Sequence, residues 1–204
     1  MRIQARAGEP IQAFKLYVLP ALNNPNWIEN SRDVTDTKLS SREWAGLVMH
    51  AIALEDLTGD HMLVAAEDTG GDGAITRMNG GVGEAVLVEQ TLATHLKHND
   101  LLTAVEERVT AKSSQGENYA ANKHLVVWCN ITGEMDEEKL AKVVSKGRFN
   151  IVDIIGFHEK DKAYFCYIFD RDNDKKPIHR CSISERKLVE AAAESDDAKR
   201  VSSQ

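Results

Sequence analysis

The sequence predicts an α/β protein in which a mixed β-sheet is flanked by helices. Three observations carry that expectation. A helix-period segment over residues 40–58 is followed by three short strand-like runs, the last two joined by the turn Asn79-Gly80-Gly81-Val82-Gly83. A second helical stretch comes next, and His124–Cys129 then forms an almost wholly apolar run, the pattern of a strand covered on both faces. Hairpin strands beside a crossover helix and a buried strand make an αβββαβ order, which packs as a sheet with helices on its faces.

Residues 1–38 read as an N-terminal lead-in, because the apolar stretch Phe14–Leu19 is interrupted by Pro20, Pro25 and the polar run Asn23–Asn26. The first clear helix opens at Ser40, with Glu43 three residues later as a capping box. It carries Trp44, Leu47, Val48, Ala51 and Leu54 at helical spacing and ends at Gly59. Residues 61–67, 73–78 and 84–91 then read as strands. A hairpin symmetric about Gly81 sets Glu89 across from Gly73, one residue from Asp72; a slip of one residue is open, so the pattern establishes their proximity and not the register. The next helix spans about Leu92 to Lys112, with Leu92, Leu96, Leu101, Leu102, Val105 and Val109 as its stripe. A short helix over 136–145 has acids in its first turn, as the macrodipole favours, and strands 151–157 and 163–169 form a hairpin about the polar turn 158–162. Residues 171–204 read as a charged tail with one helix around Ser184–Ala193.

Composition bounds the function. The chain of 204 residues is 42% hydrophobic and 28% charged, ordinary for a globular domain, and its apolar runs fall short of the roughly twenty residues that span a bilayer. No apolar core follows the basic residues of the first ten positions, and Cys129, Cys166 and Cys181 are too few for a disulfide framework, so a reducing cytoplasm and no membrane partner are expected. A formal charge of −7 argues against nonspecific coating of nucleic acid, which needs a basic surface, but leaves room for local basic contacts such as Arg108, Lys112, Lys123, Lys142, Lys146 and Arg148.

Two carboxylates stand in unusual settings. Asp72 lies among glycines in Thr69–Ile75, and Glu89 ends the apolar run Ala85–Val88. A turn aspartate bonding its own backbone, and a glutamate paired with Lys97 or Arg77, are the plain readings. Together, two carboxylates converging at strand ends form the smallest cradle for a hard cation such as Mg²⁺ or Mn²⁺, which takes oxygen ligands and keeps several waters. Glu67 and Asp68, at the end of the first strand, either join the cation or solvate the loop, the loop reading being the plainer. His95 and His98 lack further ligands for zinc, and Cys129 with His124 lacks the partners of a cysteine protease.

Leu39-Ser40-Ser41-Arg42-Glu43-Trp44, Gly70-Gly71-Asp72-Gly73 and Val86-Leu87-Val88-Glu89-Gln90-Thr91 resemble motifs of the PD-(D/E)XK restriction-endonuclease-like superfamily, in particular its Mrr-type branch, over roughly residues 39–130. The resemblance implies a restriction-endonuclease-like domain over 39–170. It also implies metal binding by Asp72 and Glu89, with Thr91 standing where the family has its lysine. Lys97, on the following helix, is the candidate to replace that lysine, with Lys123 behind it; Ala45 stands at the family's helix glutamate, for which Glu43 or Glu55 substitutes. The implied activity is metal-dependent cleavage of DNA in restriction, phage defence or repair. The alternative is a nuclease-like fold without catalysis, serving as a nucleic-acid-binding or protein-interaction subunit, with a protein partner or a second copy of itself.

Overall fold

Ser40 accepts from the backbone of Glu43 while Glu43 returns a bond to the backbone of Ser40, so the first long helix, α2 (Ser41–Thr58), starts on the predicted capping box. Gly59 ends it in a left-handed conformation (φ 74°), donating to the carbonyl of Glu55 at 2.8 Å. In this computed structural model the described residues are 8–24, 26–29, 39–67, 72–79, 82–94, 100–131 and 133–201. Before α2 comes a short helix α1 (Pro10–Ala13), which continues as a π turn (Phe14–Val18) and a 3₁₀ turn (Leu19–Ala21). After it come β1 (His61–Ala65), β2 (Gly73–Asn79), β3 (Val82–Thr94), α3 (Leu101–Ser113), α4 (Glu117–Ala120) and β4 (Lys123–Asn130). The chain ends with α5 (Glu137–Ser145), β5 (Ile151–His158), β6 (Ala163–Asp170), β7 (His179–Ser184) and α6 (Glu185–Val201).

The seven strands form one mixed sheet in chain order. Strands β3, β4 and β5 are parallel neighbours, and the other pairs are antiparallel. Parallel neighbours need a crossover, which α3 with α4 supplies between β3 and β4, and α5 between β4 and β5. The predicted order of helix, three strands, helix, strand is therefore present from α2 to β4.

Alternation along β4 divides the core. Val126 and Trp128 pack with α2 and the N-terminal turns, while Leu125 and Val127 pack with α3 and α5 on the other face. Helix α2 sits low on its face, because a Cβ on Gly46 would run into the side chain of Gln90 and lie 2.8 Å from Trp128 Nε1. Tyr17 of the π turn stacks on Trp44 at 4.3 Å and covers the outer side of α2. Among the described residues no helix is long and apolar enough to cross a membrane.

Three segments differ from the sequence reading. Residues 92–94, read as the start of a helix, extend β3, because Leu92, Ala93 and Thr94 pair with Trp128, Cys129 and Asn130 and so satisfy their backbone in the sheet. Asp100 then caps α3 by accepting from Thr103 at 2.8 Å. The hairpin of β2 and β3 is shifted by one residue: Gly73 faces Val88 and Asn79 faces Val82. The segment read as a charged tail with one helix supplies a strand as well, β7, paired along β6; the expected helix is α6, which buries Leu188 and Ala192 against the N-terminal helical turns.

A buried polar chain crosses the α2 face. His50 of α2, fully buried, lies 3.0 Å from Asp153 of β5 through Nδ1 and 2.9 Å from His124 of β4 through Nε2. Burial, and then the neighbouring His50, push His124 down to about 3, so the fold holds it neutral. A depressed histidine contributes stability that is fully present above its ordinary value of 6.5 and is lost as pH falls toward the folded value. The slope is at most about 1.4 kcal/mol per pH unit for one group. Urea denaturation at intervals from pH 7.5 down to pH 5 is expected to show wild-type stability falling more steeply than that of His124→Gln, and parallel curves would contradict this account.

Candidate functional site

The one-residue shift of the hairpin decides where the two singled-out carboxylates meet. With Gly73 facing Val88, Asp72 comes level with Glu89. Asp72 clasps that residue from both sides: its amide donates to the Val88 carbonyl at 2.9 Å, and its Oδ2 accepts from the Gln90 amide at 2.7 Å. Gln90 points to the other face of the sheet, where its Nε2 donates to the carbonyl of Glu43 in α2 at 2.8 Å. Strand alternation thus ties Asp72 to α2 through one residue and aims Glu89 toward α3.

Glu89 is 4% exposed, and both of its oxygens are held. Lys123 Nζ donates to Oε1 at 2.8 Å and Lys112 Nζ to Oε2 at 3.0 Å, while the Tyr119 hydroxyl also donates to Oε2. Lys112 stands in the last turn of α3, Tyr119 in α4 and Lys123 at the start of β4, so the crossover delivers all three. Tyr119 is fixed edge-on by Phe149, and the Lys123 ammonium lies 4.3 Å from the centre of its ring.

The two carboxylates titrate in opposite directions. Burial pushes Glu89 up, but the hydrogen bonds from Lys123, Tyr119 and Lys112 outweigh it and hold the carboxyl below its ordinary range. Burial raises Asp72, the Gln90 amide and Lys112 oppose it, and the charges of Glu89 and Glu43 add to the rise. For Lys112, burial lowers and Glu89 raises; the pairing wins and the ammonium is held above its ordinary range. Tyr119 is pushed up to about 12 by burial and then by Glu89, and stays a phenol at neutral pH.

The remaining predicted residues fall as follows. Thr91 lies on the Glu89 face of β3, half-buried, in register with Val127. Lys97 lies outside the described residues. Lys123 is a direct partner of Glu89. Lys112, read only as one of several surface cations, is its second partner, and Tyr119 was not singled out at all. Arg77, considered as a partner for Glu89, instead binds Asp60 through Nε at 2.6 Å. Glu43 spends Oε2 on the amide and hydroxyl of Ser40, at 2.6 and 2.8 Å, and Glu55 serves His61 and the Met62 amide at the far end of α2. Glu67, read as loop solvation, is buried.

No group of three or more His, Cys, Asp or Glu side chains converges as a metal site among the described residues. A closed zinc-type centre is therefore not formed there. The hard donors at hand are Asp72 and, level with it, Glu89, whose two oxygens are both held by ammoniums; Mg²⁺ or Mn²⁺ uses one or two carboxylates and fills the remaining positions with water and substrate phosphate. The raised Asp72, crowded by Glu89 and Glu43, is a charge that a cation would relieve. No family model, curated protein or solved structure matches this chain.

The opposite shifts predict opposite mutational effects. A carboxyl held low contributes stability present above its ordinary value of 4.5 and lost as pH falls below it, so Glu89→Gln removes a contribution that is fully present at pH 7. It also leaves two partly buried ammoniums unpaired, at a cost of about 3 kcal/mol in urea denaturation. A carboxyl held high contributes only below its ordinary value, so Asp72→Asn, which keeps the Gln90 bond, is expected to leave stability at pH 7 unchanged or to raise Tm by roughly 1–4 °C. Equal losses in the two variants would contradict the assignment.

Proposed function

We propose that this chain is a metal-dependent nuclease of restriction-endonuclease-like architecture acting on DNA, in a cytoplasmic setting such as restriction, phage defence or repair. The supporting observation is that Asp72 and Glu89 stand level across the β2–β3 hairpin with Lys112 and Lys123 at Glu89, so that two carboxylates and a lysine share one place although Thr91 occupies the motif position. In this reading Asp72 and Glu89 hold Mg²⁺ or Mn²⁺, which when bound supplies an activated water and neutralises charge on the phosphoryl oxygens.

The protein's own groups divide the remaining work. Lys112 is 21% exposed and held protonated, so it offers a positive charge and N–H donors to a phosphate and does not act as a base. Tyr119 stays a donor for the same reason. Lys123, 11% exposed with its ammonium on Oε1, positions Glu89. Lys112 thus takes the place that Lys97 holds in the sequence reading.

One observation favours a second reading. Both Glu89 oxygens carry ammonium partners, so a cation has to displace at least one lysine before it gains the second carboxylate. In a nuclease-like subunit without catalysis those pairs persist, and DNA or a protein partner is bound without cleavage.

Plasmid and linear DNA incubated with Mg²⁺ or Mn²⁺ test the choice. Wild type is expected to cut, and Asp72→Ala and Lys112→Ala each to lose about 100-fold or more in rate, in line with the loss of one preorganised electrostatic group. Cleavage that survives both substitutions would sink the site. Gel retardation of DNA with no cleavage by any form would select the subunit reading.

A further inference from the structure

On the face of the sheet opposite Glu89, a cavity of about 570 Å³ opens between the C-terminal turn of α2, the β2–β3 hairpin and the start of β4. Its volume lies in the range of small-molecule sites. Leu54, Met62 and Val86 give it an apolar wall, and Asn122, Asn150 and His124 give it polar groups. Among the charged residues at its edge, Arg77 binds Asp60 and stands opposite Glu84 in the hairpin register, and the Lys123 ammonium is turned to Glu89. Nothing in that arrangement selects for a net charge.

His124 differs from the other polar groups because two buried residues fix it. His50 and Asp153 are both 0% exposed, and the chain runs Asp153 Oδ2 to His50 Nδ1 at 3.0 Å and His50 Nε2 to His124 Nδ1 at 2.9 Å. With Asp153 taken as a carboxylate and His50 as a neutral imidazole, His50 donates from Nδ1 to the carboxylate, its Nε2 accepts and His124 donates from Nδ1, which leaves His124 Nε2 as a bare acceptor. Among the described residues that nitrogen has no hydrogen-bond partner. The bond to His50 already takes up the Nδ1 side of the ring; the Nε2 side, on a residue that lines the cavity, is left for something else. Burial and the neighbouring His50 keep the ring neutral, with its value down to about 3, and a base works best near the ambient pH, so this nitrogen suits hydrogen-bond acceptance and not proton abstraction.

We propose that the cavity binds a small uncharged organic molecule that donates an O–H or N–H to His124 Nε2 and lays its apolar body against Leu54, Met62 and Val86. The proposal is independent of the nuclease reading, since the residues that would hold the molecule, His124, Leu54, Met62 and Val86, make no bond to Glu89; Lys123, at the cavity edge with its ammonium on Glu89, is the one residue the two places share.

Phenol and anisole are suitable probes, because they share an aromatic body and differ in the donor. Titrated into the full chain at neutral pH and followed by the His124 imidazole carbon-bound proton signals, phenol is expected to give saturable shifts and to bind about tenfold more tightly than anisole, the worth of one buried hydrogen bond. His124→Phe should abolish that preference and His124→Gln, which keeps an acceptor, should retain part of it. Absence of phenol binding to wild type overturns the proposal without need of any variant. Equal affinity of the two probes, or an undiminished preference for phenol in folded His124→Phe, overturns it as well.

Discussion

The Glu89 carboxylate is the point at which the fold and the candidate site constrain each other. A carboxylate that is 4% exposed is tolerable only with strong partners, because desolvating an unpaired charge costs several kcal/mol. Its partners come from α3, α4 and β4, the three elements that carry the chain from β3 to its parallel neighbour. A parallel crossover has no short turn to hold it, and here one buried anion pins its far end, from the last turn of α3 to the start of β4, back to β3. The same pins fill the place where a second metal ligand would be needed, so holding the crossover and receiving a cation compete for the same two oxygens.

Asp72 answers to the opposite constraint. Its hydrogen bond to the Gln90 amide fixes its position without neutralising it, and Glu89 and Glu43 add repulsion. One carboxylate in the pair is therefore satisfied and the other crowded. Gln90 couples this pair mechanically to α2, since its amide holds Asp72 and its side chain holds the helix at Glu43. The two faces of the sheet thus carry separate polar chemistry: an ion cluster under α3 and a buried Asp153–His50–His124 chain under α2.

Much of this was legible in the sequence, for physical reasons that differ by element. The capping box of Ser40 with Glu43, the stripe from Trp44 to Leu54 and the glycine turn after Asn79 are local signals, and α2 and the β2–β3 hairpin form on them. Asp72 and Glu89 were visible because charge among glycines or at the end of an apolar run needs a cause. The hairpin register was open to within one residue, since glycine pairs accept more than one turn. Leu92 and Leu96 match a helical stripe, but parallel pairing with β4, a long-range contact, keeps Leu92 in the strand. Lys112 and Tyr119 carry no local mark: a lysine in a last helical turn reads as a dipole partner, and only the crossover brings it to Glu89. His50 was hidden among the apolar positions of α2, its partner Asp153 lying more than a hundred residues away in β5.

The central claim is that Asp72 and Glu89 form one cation site despite the lysines at Glu89. Calorimetric titration of the wild-type chain with Mn²⁺ at neutral pH tests it most directly, with Asp72→Asn, expected to keep the Gln90 bond and the fold, as the control. The account predicts saturable binding in wild type that is lost or much weakened in the variant. Absence of binding in wild type, or equal binding in both, would contradict it.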